Sequence, residues 1–103
     1  MLRVQPAPIL PALRVLVVDD VDANRRLAQA MLRRFGHLRE VATSGLEAVE
    51  KAVAGRYDIV LMDIQMPGIN GFEAARRIRE SLGAAGKRSP RRAARSRQGE
   101  ART

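Results

Sequence analysis

The chain has 103 residues, 46% apolar and only 3% aromatic, which points to one small domain with an aliphatic core. It contains no cysteine, so disulfides, thiolate metal sites and cysteine nucleophiles are excluded and a reducing, cytoplasmic setting is expected. The net charge of +8 is uneven: residues 83–103 carry 7 Lys/Arg against 1 acid, whereas residues 1–82 carry 12 against 10 and are nearly balanced.

Residues 1–12 are broken by Pro6, Pro8 and Pro11 and read as a flexible leader rather than a secretory signal. No apolar run approaches the roughly 20 residues that span a bilayer, so no membrane partner is expected. Leu13 to Val18 is a continuous aliphatic run, as expected of a strand covered on both faces. From Asp22 to Phe35 the period changes to that of a helix. Leu27, Met31 and Phe35 lie four apart, with Ala28 and Leu32 beside them, and Arg25, Arg26, Gln29, Arg33 and Arg34 fall on the other face. Asp22 is the expected N-cap and Gly36 takes the position after the helix end.

Leu38 to Ala42 reads as a short strand. Ser44 and Glu47 have capping-box spacing ahead of a helix that carries Leu46, Val49 and Val53 and ends at Gly55. Tyr57 to Met62 is the third strand. Gly71 to Leu82 is the third helix, with Phe72, Ala75, Ile78 and Leu82 on one side. The order β-α-β-α-β-α predicts a parallel sheet with right-handed crossovers. The last segment, GAAGKRSPRRAARSRQGEART, has no Val, Ile, Leu, Met or aromatic residue, and 17 of its 21 positions are Ala, Arg, Gly, Pro or Ser. No strand is read there, and residues 83–103 are expected to be a disordered basic tail.

In DIVLMDIQMPG, residues 58–68, a carboxylate ends the most hydrophobic run of the chain, although burying a charge is costly. VLVVDD, residues 15–20, repeats the design with two acids. Ligands in open parallel sheets sit outside the carboxyl ends of the strands. If the first and third strands are neighbours, Asp19, Asp20 and Asp63 converge at one edge. Helix capping accounts for any one of these acids, but not for three at strand ends in the same register. Such a cluster calls for a cation, and oxygen-only ligands suit Mg²⁺. A carboxylate beside a divalent metal can attack phosphorus and form an acyl phosphate. Asp63, just ahead of a Met-Pro-Gly turn, is expected to be exposed enough for in-line attack.

VLVVDD, VDANRRLAQAMLRRFGH, ATSGLEAVE and YDIVLMDIQMPGINGFEAARRIR together resemble the receiver domain of two-component response regulators, above all receivers of hybrid sensor histidine kinases. The resemblance covers residues 13–82. It implies that Asp63 is the phosphoacceptor in a phosphorelay, and that Asp19, Asp20, Asp63 and the backbone carbonyl of Gln65 hold Mg²⁺. Pro67 and Gly68 would shape the loop over the site, and Gly71 would open the third helix. Val21 stands where related receivers often carry a polar residue, so site access or dephosphorylation is expected to differ. The implied partner is a histidine kinase or histidine phosphotransfer protein; the Arg-rich face of the first helix (Arg25, Arg26, Arg33, Arg34) is most simply solvated, and docking of that partner on the first helix is the alternative.

Complete members of that family are doubly wound (flavodoxin-like) with strand order 2-1-3-4-5. Their fourth strand ends in a Ser/Thr and their fifth in a Lys, which couple phosphorylation to output. Only three βα units, ordered 2-1-3, are read here. The sequence after residue 82 reads like a truncation or a change of reading frame, and an impaired switch is expected. Lys87 and Ser89 are the right residue types but have no strand to place them. The third strand would then have a bare hydrophobic edge, so a marginal fold, an aggregating one, or one rescued by edge-to-edge pairing with a second copy is expected. A non-switching fragment that binds a kinase or a full receiver, or a non-functional product, is the alternative. Nucleic-acid binding through the tail is disfavoured, because the tail has no aromatics for stacking and no reading helix. His37, the one histidine, reads as a surface residue.

Overall fold

The computed structural model describes residues 11–95, so most of the expected leader and residues 96–103 lie outside the described residues. The elements run β1 (Arg14–Val18), α1 (Asp22–Arg34), β2 (Leu38–Ala42), α2 (Gly45–Ala54), β3 (Ile59–Asp63), α3 (Gly71–Ala84) and β4 (Arg91–Arg95). All strand pairs are parallel and the sheet order is β2-β1-β3-β4. The expected 2-1-3 arrangement is therefore present, with β1 between β2 and β3.

A fourth strand stands where none was expected. β4 pairs with β3 from Ile59↔Arg91 to Asp63↔Arg95, and the Arg91 N–H donates to the Asp58 carbonyl at 2.9 Å. Its sequence, RRAAR, has little intrinsic strand preference. The strand forms because the edge of β3 offers a row of unpaired amides and carbonyls, which any backbone can satisfy. The chain reaches that edge through a helix end built on Gly86, whose φ of +72° lets Lys87 N–H return to the Leu82 carbonyl at 2.8 Å. Residues 83–95 are thus part of the domain rather than a disordered tail. The bare edge of β3 that motivated an edge-to-edge dimer is covered, and the sheet ends instead on an arginine-rich strand, a composition that discourages further strand addition.

The core lies between the sheet and the pair α2/α3. Leu16, Val18, Val60 and Met62 from the strands meet Ala48, Ala52, Ala74, Ala75, Ile78 and Leu82 from those helices. Alanines at the contact points let the two helices approach the sheet closely. Leu46 and Phe72, expected on the inner faces, are instead 56% and 57% exposed. On the opposite face α1 buries no residue fully. Its Leu27, Met31 and Phe35, expected to seek the core, are 60%, 53% and 68% exposed, and Ala28 and Leu32 turn partly inward. Periodicity correctly marked an apolar stripe, but among the described residues no element covers it.

The capping box of α2 is formed as spaced. Ser44 Oγ accepts from the Glu47 N–H at 3.1 Å, and Glu47 Oε1 accepts from the Thr43 N–H and hydroxyl at 2.8 and 2.9 Å. The Thr43 backbone bond foremost, then its hydroxyl, holds the Glu47 carboxyl below its ordinary value. A depressed carboxylate contributes stability above its ordinary range, and that contribution fades as pH falls through the folded value. Ser44→Ala should cost about 1 kcal/mol, read as a lower urea midpoint with unchanged slope.

At the other end of the sheet Tyr57 donates to Glu40 at 2.6 Å under the Arg14 guanidinium, 5.4 Å from the ring centre. Burial foremost, then the Glu40 bond, pushes the Tyr57 phenol up to about 12. His37 is not a plain surface residue: its Nδ1 accepts from the Leu13 N–H at 3.1 Å and ties the entry of β1 to the turn before β2.

Candidate functional site

Because β1 and β3 are parallel neighbours in the register Val18↔Met62, their carboxyl ends lie side by side. Asp19 and Asp20 follow β1 directly and Asp63 is the last residue of β3. Each of the three offers a carboxylate oxygen, and these oxygens all lie within 4.8 Å of one another. Asp19 is 3% and Asp63 1% exposed, whereas Asp20 is open to solvent. The strand ends thus deliver the three acids to one place, as their spacing predicted.

The burial of Asp63 corrects the expectation of an exposed acceptor. Its Oδ1 accepts from the Gln65 N–H at 3.1 Å, in the loop 64–70 that follows β3. The Gly71 N–H donates to the Ile64 carbonyl at 2.9 Å and closes that loop onto the start of α3. Gly68 sits at φ +82°, which a residue with a side chain adopts only under strain, so the turn after Met66-Pro67 requires glycine there. Asn70 caps α3, its side chain accepting from the Glu73 N–H at 2.9 Å. An open cleft of about 570 Å³ is lined by Asp20, Gln65, Met66, Pro67, Asn70 and Phe72, among others.

Arg25, which periodicity assigned to the outer face of α1, and Asn24, which had no assigned role, both contact Asp19. Asp22 does not cap α1: the N-cap position is Val21, which has no side-chain oxygen. Asp19 is instead tethered to the start of the helix, its Oδ1 accepting from the Val21 N–H at 2.9 Å and its Oδ2 from Asn24 Nδ2 at 3.2 Å. Arg25 Nη1 donates to the Asp19 carbonyl at 2.8 Å, and Nη2 meets Asp22 at 3.0 Å. The signal available in sequence was the short distance of Asn24 and Arg25 from the acids, at the very start of α1.

Carboxylates this close, with no nitrogen or sulfur donor among them, match the donor set of a hard divalent cation. The response regulator receiver domain model matches residues 15–86. The chain belongs to the response regulator receiver family. This receiver is 41% identical over 69 residues to the aerobic respiration control sensor protein ArcB of Escherichia coli K12, a match covering 67% of this chain and 9% of the sensor. Its fold superposes on the receiver domain of the Arabidopsis thaliana histidine kinase CKI1, complexed with Mg²⁺ and BeF₃⁻, with a TM-score of 0.76 and 35% identity, covering 82% of this chain and 65% of that one. The receiver domain of Saccharomyces cerevisiae Ssk1, crystallised with the histidine phosphotransfer protein Ypd1, gives a TM-score of 0.75 and 29% identity, with 84% and 64% covered. This receiver therefore spans less than a tenth of the sensor's length and about two thirds of those receiver chains.

Proposed function

We propose that this receiver takes a phosphoryl group from a phosphohistidine onto Asp63, in a reducing, cytoplasmic setting that a cysteine-free chain suits. The observation that carries the reading is the convergence of Asp19, Asp20 and Asp63 within 4.8 Å at the ends of adjacent strands. Mg²⁺ would be held by these three carboxylates and the backbone carbonyl of Gln65, and when bound it would neutralise charge on the phosphoryl oxygens. Asp63 supplies the nucleophile: a carboxylate oxygen forms a bond to phosphorus as the P–N bond breaks, and the imidazole nitrogen keeps the electron pair. The Gln65 N–H holds the other oxygen in place. Asp63 is 1% exposed, so a donor's approach requires local rearrangement, and the adjoining loop 64–70 with Pro67 and Gly68 is the proposed element that moves.

A histidine kinase or a histidine phosphotransfer protein is the proposed donor, and α1 its docking face. Leu27, Met31 and Phe35 form an uncovered apolar stripe beside Arg26, Arg33 and Arg34, suited to a helical partner with an acidic rim. Support comes from the Ssk1 receiver, which is crystallised with such a phosphotransfer protein. Coupling to output is proposed to be weak: β4 occupies the family's fourth position, but among the described residues no strand ends in the family's Lys.

Incubation with acetyl phosphate and Mg²⁺ tests the reading. A phosphorylated mass is expected, labile to alkali as an acyl phosphate is and absent when EDTA is added. A well-folded chain that acquires no such mass would overturn it.

A further inference from the structure

α1 has no side-chain cap, and the buried acid Asp19 lies against its start, bonded to the N-cap residue Val21 and to the Asn24 side chain. Both oxygens of this buried carboxylate are held from the first turn of α1, Oδ1 by the Val21 N–H at 2.9 Å and Oδ2 by Asn24 Nδ2 at 3.2 Å. The main chain at the same residue is fixed from both sides. The Asp19 N–H donates to the Ala42 carbonyl at 3.1 Å, and the Asp19 carbonyl accepts from Arg25 Nη1 at 2.8 Å. Arg25 is itself clamped by Asp22, and its side chain is only 15% exposed. Its neighbour Arg26, 79% exposed, pairs with the same Asp22 from outside. One arginine of the pair is thus drawn inward to the acid cluster while the other stays in solvent.

Each carboxylate oxygen has two lone pairs, and here one on each is taken by a donor from α1. The remaining capacity points a fixed carboxylate at Asp20 and Asp63 rather than leaving it free to rotate. We propose that Asn24 and Arg25 are positioning residues for the metal-binding carboxylate Asp19, and that cation occupancy of the acid cluster is thereby coupled to the order of the first turn of α1. The inference rests on the metal-centre reading above. By linkage the coupling runs both ways: the cation stiffens the start of the helix, and a helix held in place tightens the cation. Since α1 carries the exposed Leu27, Met31 and Phe35 stripe, the metal centre would set the firmness of the face on which a donor docks.

The test measures Mg²⁺ affinity by titration calorimetry and amide hydrogen exchange over residues 25–28, whose N–H groups close the first turn. Asn24→Ala should weaken Mg²⁺ binding roughly 10-fold, the usual size of an outer-shell effect on a metal ligand. Arg25→Met should weaken it in the same direction, while Arg33→Ala, on the exposed part of the same helix, should leave it unchanged. In the wild type, saturating Mg²⁺ should slow exchange over residues 25–28, and in Asn24→Ala this slowing should be lost. Equal affinity in wild type and Asn24→Ala would overturn the inference and leave the metal centre standing. So would a wild-type chain that binds Mg²⁺ with unchanged exchange over 25–28, a result that needs no variant to fold. A folded wild type that binds no Mg²⁺ would remove the metal-centre reading together with the inference.

Discussion

Asp63→Asn should abolish acetyl-phosphate labelling and, in EDTA, raise the melting temperature above that of the wild type. The loss follows from replacing the nucleophilic carboxylate by an amide of nearly the same shape. The gain follows from electrostatics. Asp63 is 1% exposed, and its oxygen lies within 4.8 Å of oxygens on Asp19 and Asp20. Two unit charges at that separation repel by about 3 kcal/mol when the effective dielectric constant is near 20. The solvent at Asp20 screens part of this, which leaves on the order of 1–3 kcal/mol to be released. For a domain of this size that is a rise of roughly 5–15 °C. The amide oxygen can still accept from the Gln65 N–H, so the loop contact survives. Mg²⁺ should stabilise the wild type by about 2.7 kcal/mol at 100 times its dissociation constant and the variant much less. Thermal melts by circular dichroism, with EDTA and with Mg²⁺, separate the outcomes. Coincident melts of the two proteins in EDTA would mean that the three acids do not share a field, and the phosphoacceptor assignment would fail with them.

What could be read from the residues was what local chemistry dictates. The capping box of Ser44 and Glu47, the helix ends at Gly36 and Gly55 and the three alternating βα units all appear where spacing placed them. The acid cluster was legible because parallel pairing of two aliphatic runs leaves little freedom in where their terminal aspartates go. β4 was not legible, since RRAAR carries none of the side-chain preferences that mark strands, and its pairing is a property of the β3 edge. Only the Gly86 turn and the Ser89-Pro90 step hinted that the chain stops its helix and returns. The orientation of α1 was missed for a related reason. A 3.6-residue period tells which residues share a face, not whether a neighbour is present to cover it. Arg25 was read onto the outer face of α1 and Asn24 was given no role, because bonds to the main-chain carbonyl and the carboxylate of a residue six and five positions earlier leave no periodic trace.

Gly71→Ala should destabilise the domain by about 2–3 kcal/mol, although alanine is the better helix former by nearly 1 kcal/mol. A Cβ at Gly71 would lie 2.7 Å from the Asp63 carbonyl oxygen and 2.9 Å from Ile64 Cα. Both obstacles are backbone, so no side chain can swing aside to make room. Relief requires either moving the start of α3 away or shifting the end of β3, and the second displaces Asp63 itself. The bond from the Gly71 N–H to the Ile64 carbonyl, which closes loop 64–70, would lengthen in either case. Gly83 gives the matched comparison within the same helix. An added Cβ there meets nothing within 4 Å, so Gly83→Ala should stabilise by roughly 0.5–1 kcal/mol through helix propensity alone. Urea midpoints of the two variants should therefore move in opposite directions, with only Gly71→Ala also losing acetyl-phosphate labelling under conditions where it remains folded. If the two midpoints moved alike, the close seat of α3 on the end of β3 would be wrong, because propensity alone cannot give one helix two signs for the same substitution.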